Sequence, residues 1–335
     1  MDLALSRLRL VQQVCDDASA AANAYCADQE LFERLVSELA VAMAPPSAGP
    51  ARTVGPRGLQ LSLGTTLTGI NAGRLYWRRG TEGSLPPRQL TNEDEGSLGI
   101  NPSPSPVLIW NRIEARKGLP FGFEAGAALG QGIDTSLWTL GLSLKWALFE
   151  GFRTQLGRLP DVAVQGGYSR SVGSSQATVQ QASFDITLSK PFVIEHTWSV
   201  SPLLGVQMLF VDVQSGVIDL TPGGLLDPPA EDAYASCRPD PVPGTSTSGE
   251  STPNGQPCAP GHSGADFANS VAFESVSQTR VRAFAGVQLQ YELFLALLSL
   301  QYDVSAPRME DDGRHAGDAE LARQLSVNIA LGAVL

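Results

Sequence analysis

The chain has 335 residues, with 23 Lys and Arg against 34 Asp and Glu for a net charge of −11. That balance excludes a nucleic-acid surface, which needs clustered cations to meet phosphates. No apolar run approaches the ~18 residues of a membrane-spanning helix, the longest being Leu293–Leu298.

Residues 1–46 are predicted to be helical. Leu31, Leu35, Leu39 and Met43 recur at helical spacing, and Phe32 and Val36 widen the stripe. Asp28 is placed to cap the start of this helix, and Pro45-Pro46 stops it. Leu3 to Val14 is a second amphipathic candidate. Cys15 and Cys26 sit between the two candidates, spaced for a locally closed loop. The opening residues MDLALSRLRL lack the parts of a secretory signal. Residues 47–57 (SAGPARTVGPR) are a linker.

From residue 58 the period changes from helical to two. The clearest stretch is Thr135–Phe149, where Trp138, Leu140, Leu142, Leu144, Trp146 and Leu148 alternate with Thr139, Gly141, Ser143, Lys145 and Ala147. This is a long strand with one apolar and one polar or small-residue face. The two Trp residues stand about 26 Å apart along it at ~3.3 Å per residue. Tilted, that spacing matches an outer-membrane hydrocarbon band with aromatic edges. The same alternation recurs near 59–68, 107–116, 121–130, 162–169, 181–189, 198–210, 280–291, 294–303 and 324–335. The expected fold is all-β: an antiparallel transmembrane β-barrel of about ten strands over 58–335, preceded by a short α-helical periplasmic segment at 1–46.

The connections are sorted by parity. The longest (71–104, 212–277 and 305–322) are the first, seventh and ninth, while tight turns fall near Gly118-Leu119 and Tyr291. Short turns on one side and long loops on the other is the arrangement of bacterial barrels, with odd connections external. Under this topology the membrane separates Cys15 and Cys26 from Cys237 and Cys258, which predicts Cys15–Cys26 and Cys237–Cys258 disulfides. The 212–277 loop is rich in Pro, Gly and Ser, a composition that buries little.

The inward positions carry Arg112, Glu114, Arg116, Glu124, Lys145, Asp185, Arg280, Arg282 and Asp303. Glu114 and Glu124 are expected close together between Arg112 and Arg116, with Lys145 at similar depth. Arg280 and Arg282 are expected beside Asp303. Such charges form either a constriction that selects solutes or an ion-paired filling of a narrow lumen. Trp138, Trp146, Trp198, Tyr168, Tyr291 and Tyr302 are expected to be outward girdle residues. The acidic runs Asn92–Glu95 and Glu310–Asp312 lack EF-hand spacing and predict solvated loops. Gly126–Gly132 (GAALGQG) lies on a strand with no helix after it, so it is not a dinucleotide fingerprint. Gly261–Ala265 lacks the last Gly of a nucleophile elbow. No catalytic, metal or cofactor site is expected.

The alternating strands, the loop parity and the strand-forming end QLSVNIALGAVL resemble bacterial outer-membrane β-barrel proteins. The resemblance covers 58–335, is architectural, and carries over no family motif. It implies an outer-membrane location, reached through a signal peptide not present in this chain, and lipid as a partner. The function expected is a narrow pathway or binding barrel for small solutes. The alternative is a closed anchoring barrel whose external loop and periplasmic helices bind a surface or periplasmic protein. An outer-rim hydrolase, as in the omptin proteases, would have His315 with Asp303 or Asp212 as its nearest analogue.

In this reading residues 1–46 dock against the periplasmic mouth, facing the amphipathic stretch Gly151–Leu159.

Overall fold

The computed structural model describes residues 2–11, 25–47, 49–83, 101–149, 159–194, 197–220, 270–305 and 321–335. Its ten long strands are β1 (Leu59–Gly69), β2 (Val107–Gly118), β3 (Phe123–Gly132), β4 (Trp138–Phe149), β5 (Asp161–Val172), β6 (Ala177–Ser189), β7 (Trp198–Ser215), β8 (Val276–Tyr291), β9 (Phe294–Ser305) and β10 (Leu325–Val334). Each pairs antiparallel with its sequence neighbours, and β10 returns to β1 from Ser326↔Thr68 to Val334↔Gln60. Leu59 and Leu335 complete that seam by exchanging backbone hydrogen bonds of 3.0 and 2.7 Å. The sheet therefore closes into a ten-strand antiparallel barrel, and closure satisfies the edges an open sheet would expose.

The wall has the alternation read from the sequence. Leu142 is 67% exposed on the outside, whereas Lys145 on the same strand is 3% exposed and faces in. Trp138, Trp146, Tyr168, Trp198, Tyr291 and Tyr302 all stand outward and exposed. Near the short-turn end Trp198 and Tyr291 have ring centroids 4.6 Å apart, and Phe123 stacks on Trp146 at 5.5 Å. An apolar belt of this extent is far beyond what a water-soluble surface carries and needs a lipid solvent.

Three expectations about the connections change. The turn after β2 runs through a 3-10 turn, Pro120–Gly122, so Phe121 is a turn residue with φ 64° and not the first residue of a strand. The first long connection contains a short helix, α2 (Leu75–Gly80). The loop expected at 212–277 starts later, because β7 runs to Ser215 and a two-residue ladder pairs Ile218 and Asp219 with Val271 and Ser270. Residues 151–158, the acidic runs, all three histidines, Cys15, Cys237 and Cys258 lie outside the described residues.

The largest departure concerns the N-terminal segment. The helix is where its pattern puts it, α1 (Gln29–Met43), with Asp28 Oδ1 accepting from Leu31 N at 3.2 Å. The second helix expected over Leu3–Val14 is instead a 3-10 turn (Leu5–Arg7) and a short strand, Arg9–Val11, paired with Tyr25–Ala27. Nor does α1 rest on the short-turn mouth. It lies inside the barrel, and its apolar residues Leu31, Phe32, Leu35, Leu39 and Met43 are at most 5% exposed. The cause is visible in its last turns: Leu39-Ala40-Val41-Ala42-Met43 is apolar on every side, and such a helix must be buried all round.

Candidate functional site

The site these elements build is the lumen, and its occupant is the described part of the chain's own first 57 residues, 2–11, 25–47 and 49–57. At the long-loop end Ala4 N donates to Gly80 O at 2.9 Å, and Leu3 bridges to Thr81. Leu3, Leu5 and Leu8 join Tyr76, Trp77, Ile218, Leu220 and Phe273 in a core that closes the mouth over α1. The Phe32 and Phe273 rings stack at 4.5 Å. Glu38 ties this lid to the helix: its buried carboxylate accepts from Asn71 N and Nδ2, Tyr76 Oη and Trp77 Nε1 at 2.7–3.1 Å. Burial and the adjacent Glu38 push the Tyr76 hydroxyl well above its ordinary value, so it remains a donor.

Below the lid, α1 packs on inward apolar residues, among them Trp110, Val179, Leu209 and Val211 of the strands and Leu137 just before β4. Trp110 is accommodated by glycine. A Cβ at Gly130 or Gly132 would collide with its ring, so the GAALGQG stretch of β3 is a seat for a tryptophan from β2. Only the lack of a side chain allows that approach.

The end of α1 leaves backbone carbonyls with no helical partner, and the barrel wall supplies donors. Gln181 Nε2 donates to Ala40 O, Arg112 Nη2 to Ala44 O at 3.0 Å, and Gln207 Nε2 to Pro45 O at 3.4 Å. Gln324 Nε2 reaches Glu38 O at 3.3 Å, and Arg280 Nη2 reaches Ser37 O at 3.5 Å. Cations here also oppose the negative end of the helix dipole.

After Pro45 the described thread is neither helix nor strand and continues to the short-turn end. Lys145 Nζ donates to Pro50 O and Arg52 O at 3.3 and 3.1 Å, and Ala51 N donates to Ser189 Oγ at 2.9 Å. Arg52 Nε pairs with Asp161 at 2.7 Å, and Val54 N donates to Glu124 Oε2 at 3.0 Å.

The inward charges make two ion-paired groups, with Arg112 outside both and on Ala44 O. In one, Arg116 lies 3.0 Å from Glu114 and 3.8 Å from Glu124, and Lys145 Nζ is 2.8 Å from Glu124. In the other, Asp303 takes Arg280 at 2.7 Å and Arg282 at 3.2 Å, all three at most 1% exposed. Arg282 also reaches Gln207 Oε1 and Ser326 Oγ at 3.2 and 3.1 Å. Asp185 is fully buried, with Gln165 Nε2 at 3.5 Å. Between thread and wall, the voids beside Arg112 and Arg116 hold about 30 Å³, room for a water.

Of the rim residues weighed as an omptin analogue, only Asp303 and Asp212 are among the described residues. Asp303 faces the lumen in its ion pairs, Asp212 faces outward beside Ser277, and His315 is outside the described residues. Glu38, Trp110, Gln181, Gln207 and Gln324 were missed from sequence, because an inward Gln has the same alternation whether it lines water or caps a helix.

A closed ten-strand wall, a lipid-facing apolar belt, aromatic edges and short turns at one end are now in place. The architecture is that of an outer-membrane β-barrel.

No protein-family model matches the sequence, and no curated protein matches it. Among solved structures, the translocator domain of autotransporter NalP from Neisseria meningitidis aligns over 94% of this chain and 97% of its own, with 10% identity and TM-score 0.33. Ail, the attachment invasion locus protein of Yersinia pestis, aligns over 84% and 99% with 10% identity and TM-score 0.26. The outer-membrane protease OmpT from Escherichia coli aligns over 83% and 95% with 8% identity and TM-score 0.27.

Proposed function

We propose that this outer-membrane barrel is a sealed anchor and not a solute pathway. The observation that carries this is the occupied lumen: of the first 57 residues, the described 3–11, 25–47 and 49–57 lie in it or across its mouth, hydrogen-bonded to the wall from the long-loop end to the short-turn end. The inward charges are spent on that thread and on one another, which favours ion-paired filling over a selective constriction. With the long connections external, the thread's first residues and the lid are at the cell surface. The 71–104 and 221–269 connections are then the surfaces offered to partner proteins. In this reading 1–57 and 58–335 form one unit, and the helix is not periplasmic.

The test is conductance in planar bilayers. The intact protein should insert without unitary steps, and a chain lacking residues 1–57 should conduct. Steady unitary conductance by the intact protein would sink the proposal.

The cysteine pairing needs a new basis. Asp28 N donates to Leu8 O and Glu274 N donates to Gln29 Oε1, so Cys26 lies at the same end as the 221–269 connection. The membrane therefore does not set Cys26 apart from that connection. Cys26 is disulfide-bonded, and the proposed choice of partners, Cys15–Cys26 and Cys237–Cys258, rests on short loop length.

A further inference from the structure

One recess of this barrel opens outside the lumen. A groove of about 450 Å³ opens on the wall of β5–β8, an order of magnitude above the 30 Å³ voids beside the thread and within the size range of small-molecule sites. Strand register explains it. One outward row crosses the wall as Tyr168, Ala182, Phe210 and Thr279. Ala182 there is a gap between two exposed aromatic rings. The row toward the short-turn end is Gly166, Phe184, Met208 and Val281, which is apolar. The row toward the long-loop end is Arg170, Gln180, Asp212 and Ser277, which is polar throughout.

Hydrogen bonds hold the polar row in place. Tyr168 Oη donates to Gln180 Oε1 at 2.9 Å, Ser277 Oγ to Asp212 Oδ1 at 2.8 Å, and Gln214 Nε2 to Asp212 Oδ2 at 3.1 Å. Among the described residues, the Gln180 amide nitrogen and the Thr279 hydroxyl have no protein partner. The groove thus descends from hydrogen-bonding groups at the aromatic edge to bare hydrocarbon contact, which is the polarity profile of a single lipid.

We propose that it is a binding site for one acyl-chain lipid of the leaflet at the long-loop end, with an uncharged, hydroxyl-rich headgroup. The chain lies over Ala182 and the apolar row, between Tyr168 and Phe210. The headgroup hydroxyls donate to Asp212 and exchange hydrogen bonds with Gln180 and Thr279. Arg170 and Asp212 cancel in charge, and the Asp212 carboxylate repels a phosphate placed in the groove. The inference needs only the barrel's placement in lipid and stands whether or not the lumen conducts.

Native mass spectrometry of the full chain in amine-oxide micelles tests it, with dodecyl maltoside and dodecyl phosphocholine as probes of equal chain length. One dodecyl maltoside should be retained per barrel, with about tenfold preference over the phosphocholine, the worth of one hydrogen bond to a charged group. Ala182→Phe fills the notch and Asp212→Leu removes the acceptor. Both should abolish that preference while heat-modifiability on gels shows the barrel folded, and Asp212→Asn serves where either fails to fold. Equal retention of the two probes, preference for the phosphocholine, or retention unchanged in the folded variants would overturn the proposal.

Discussion

The thread through this barrel has a helical half and an irregular, non-helical half, and the wall treats them differently. Around α1 the wall is largely apolar, with Trp110, Leu137, Val179, Leu209 and Val211 against Leu31, Phe32, Leu35 and Leu39. Around residues 50–54 it presents Lys145, Ser189, Asp161 and Glu124. A helix pairs its own peptide groups internally, so the wall need only fill space around it. An irregular segment lacks that regular pairing, and a buried peptide group left unpaired is costly, so the wall must supply partners. The change occurs at the last turn of α1, where Gln181, Arg112 and Gln207 meet the orphan carbonyls. What reads in the sequence as a scatter of inward charges is the half of the wall that faces non-helical backbone, together with one exception beside the helix.

That exception is Asp303 between Arg280 and Arg282, and removing it should have the largest effect. Asp303→Ala strands two buried guanidinium groups and is expected to cost about 3–5 kcal/mol. Denaturant unfolding followed by heat-modifiability checks it; a cost near that of an exposed pair would mean water reaches the site.

In the helical half, Leu35→Ala should cost about 3 kcal/mol through lost contact and a cavity under Gly80. Leu35→Asn should be worse, since it places an amide in a fully buried position beside Leu8 and Gly80. Equal tolerance of both would remove the claim that this half is held by packing.

In the irregular half, Ser189→Ala removes the acceptor for Ala51 N and should cost only about 1 kcal/mol. Its signature is local: the Ala51 amide should exchange faster with solvent while the α1 amides do not change. If the α1 amides exchange faster as well, the two halves are one cooperative unit.

The smallest effect is at the thread's start. Burial would raise the Asp2 carboxylate, but hydrogen bonds from Ser136 N, Thr135 Oγ1 and Ser136 Oγ outweigh it and hold the group below its ordinary value. Its stabilising contribution is therefore present above the unfolded carboxylate pKa of ~3.9 and is lost as pH falls through the lower folded value. Exchange of the Ser136 amide should quicken only in that acid range, and Asp2→Asn should remove the pH dependence.

Non-reduced peptide mapping completes the set. Cys15–Cys26 and Cys237–Cys258 are expected, and a bridge between the two groups would tie the lid to the 221–269 connection.

The sequence by itself determined the wall. A strand's side chains alternate with a period of two, so each residue's face follows from its neighbours' polarity, and ten strands could be laid out by counting, although the inward Asp161 that meets Arg52 was not among the residues counted. Ion pairs followed where partners sit on adjacent strands, as Glu124 opposite Lys145 does. Helix α1 was equally legible, down to Asp28, because capping and the stop at Pro45 are local. What only the tertiary structure decided is where that helix goes. Its stripe demands burial but names no partner, and the mouth of the barrel and its interior satisfy it alike until lumen width and the donors at the helix end are known. The reach of Gln181, Gln207 and Gln324 toward its last carbonyls depends on side chains far apart in the chain, and no local period records that.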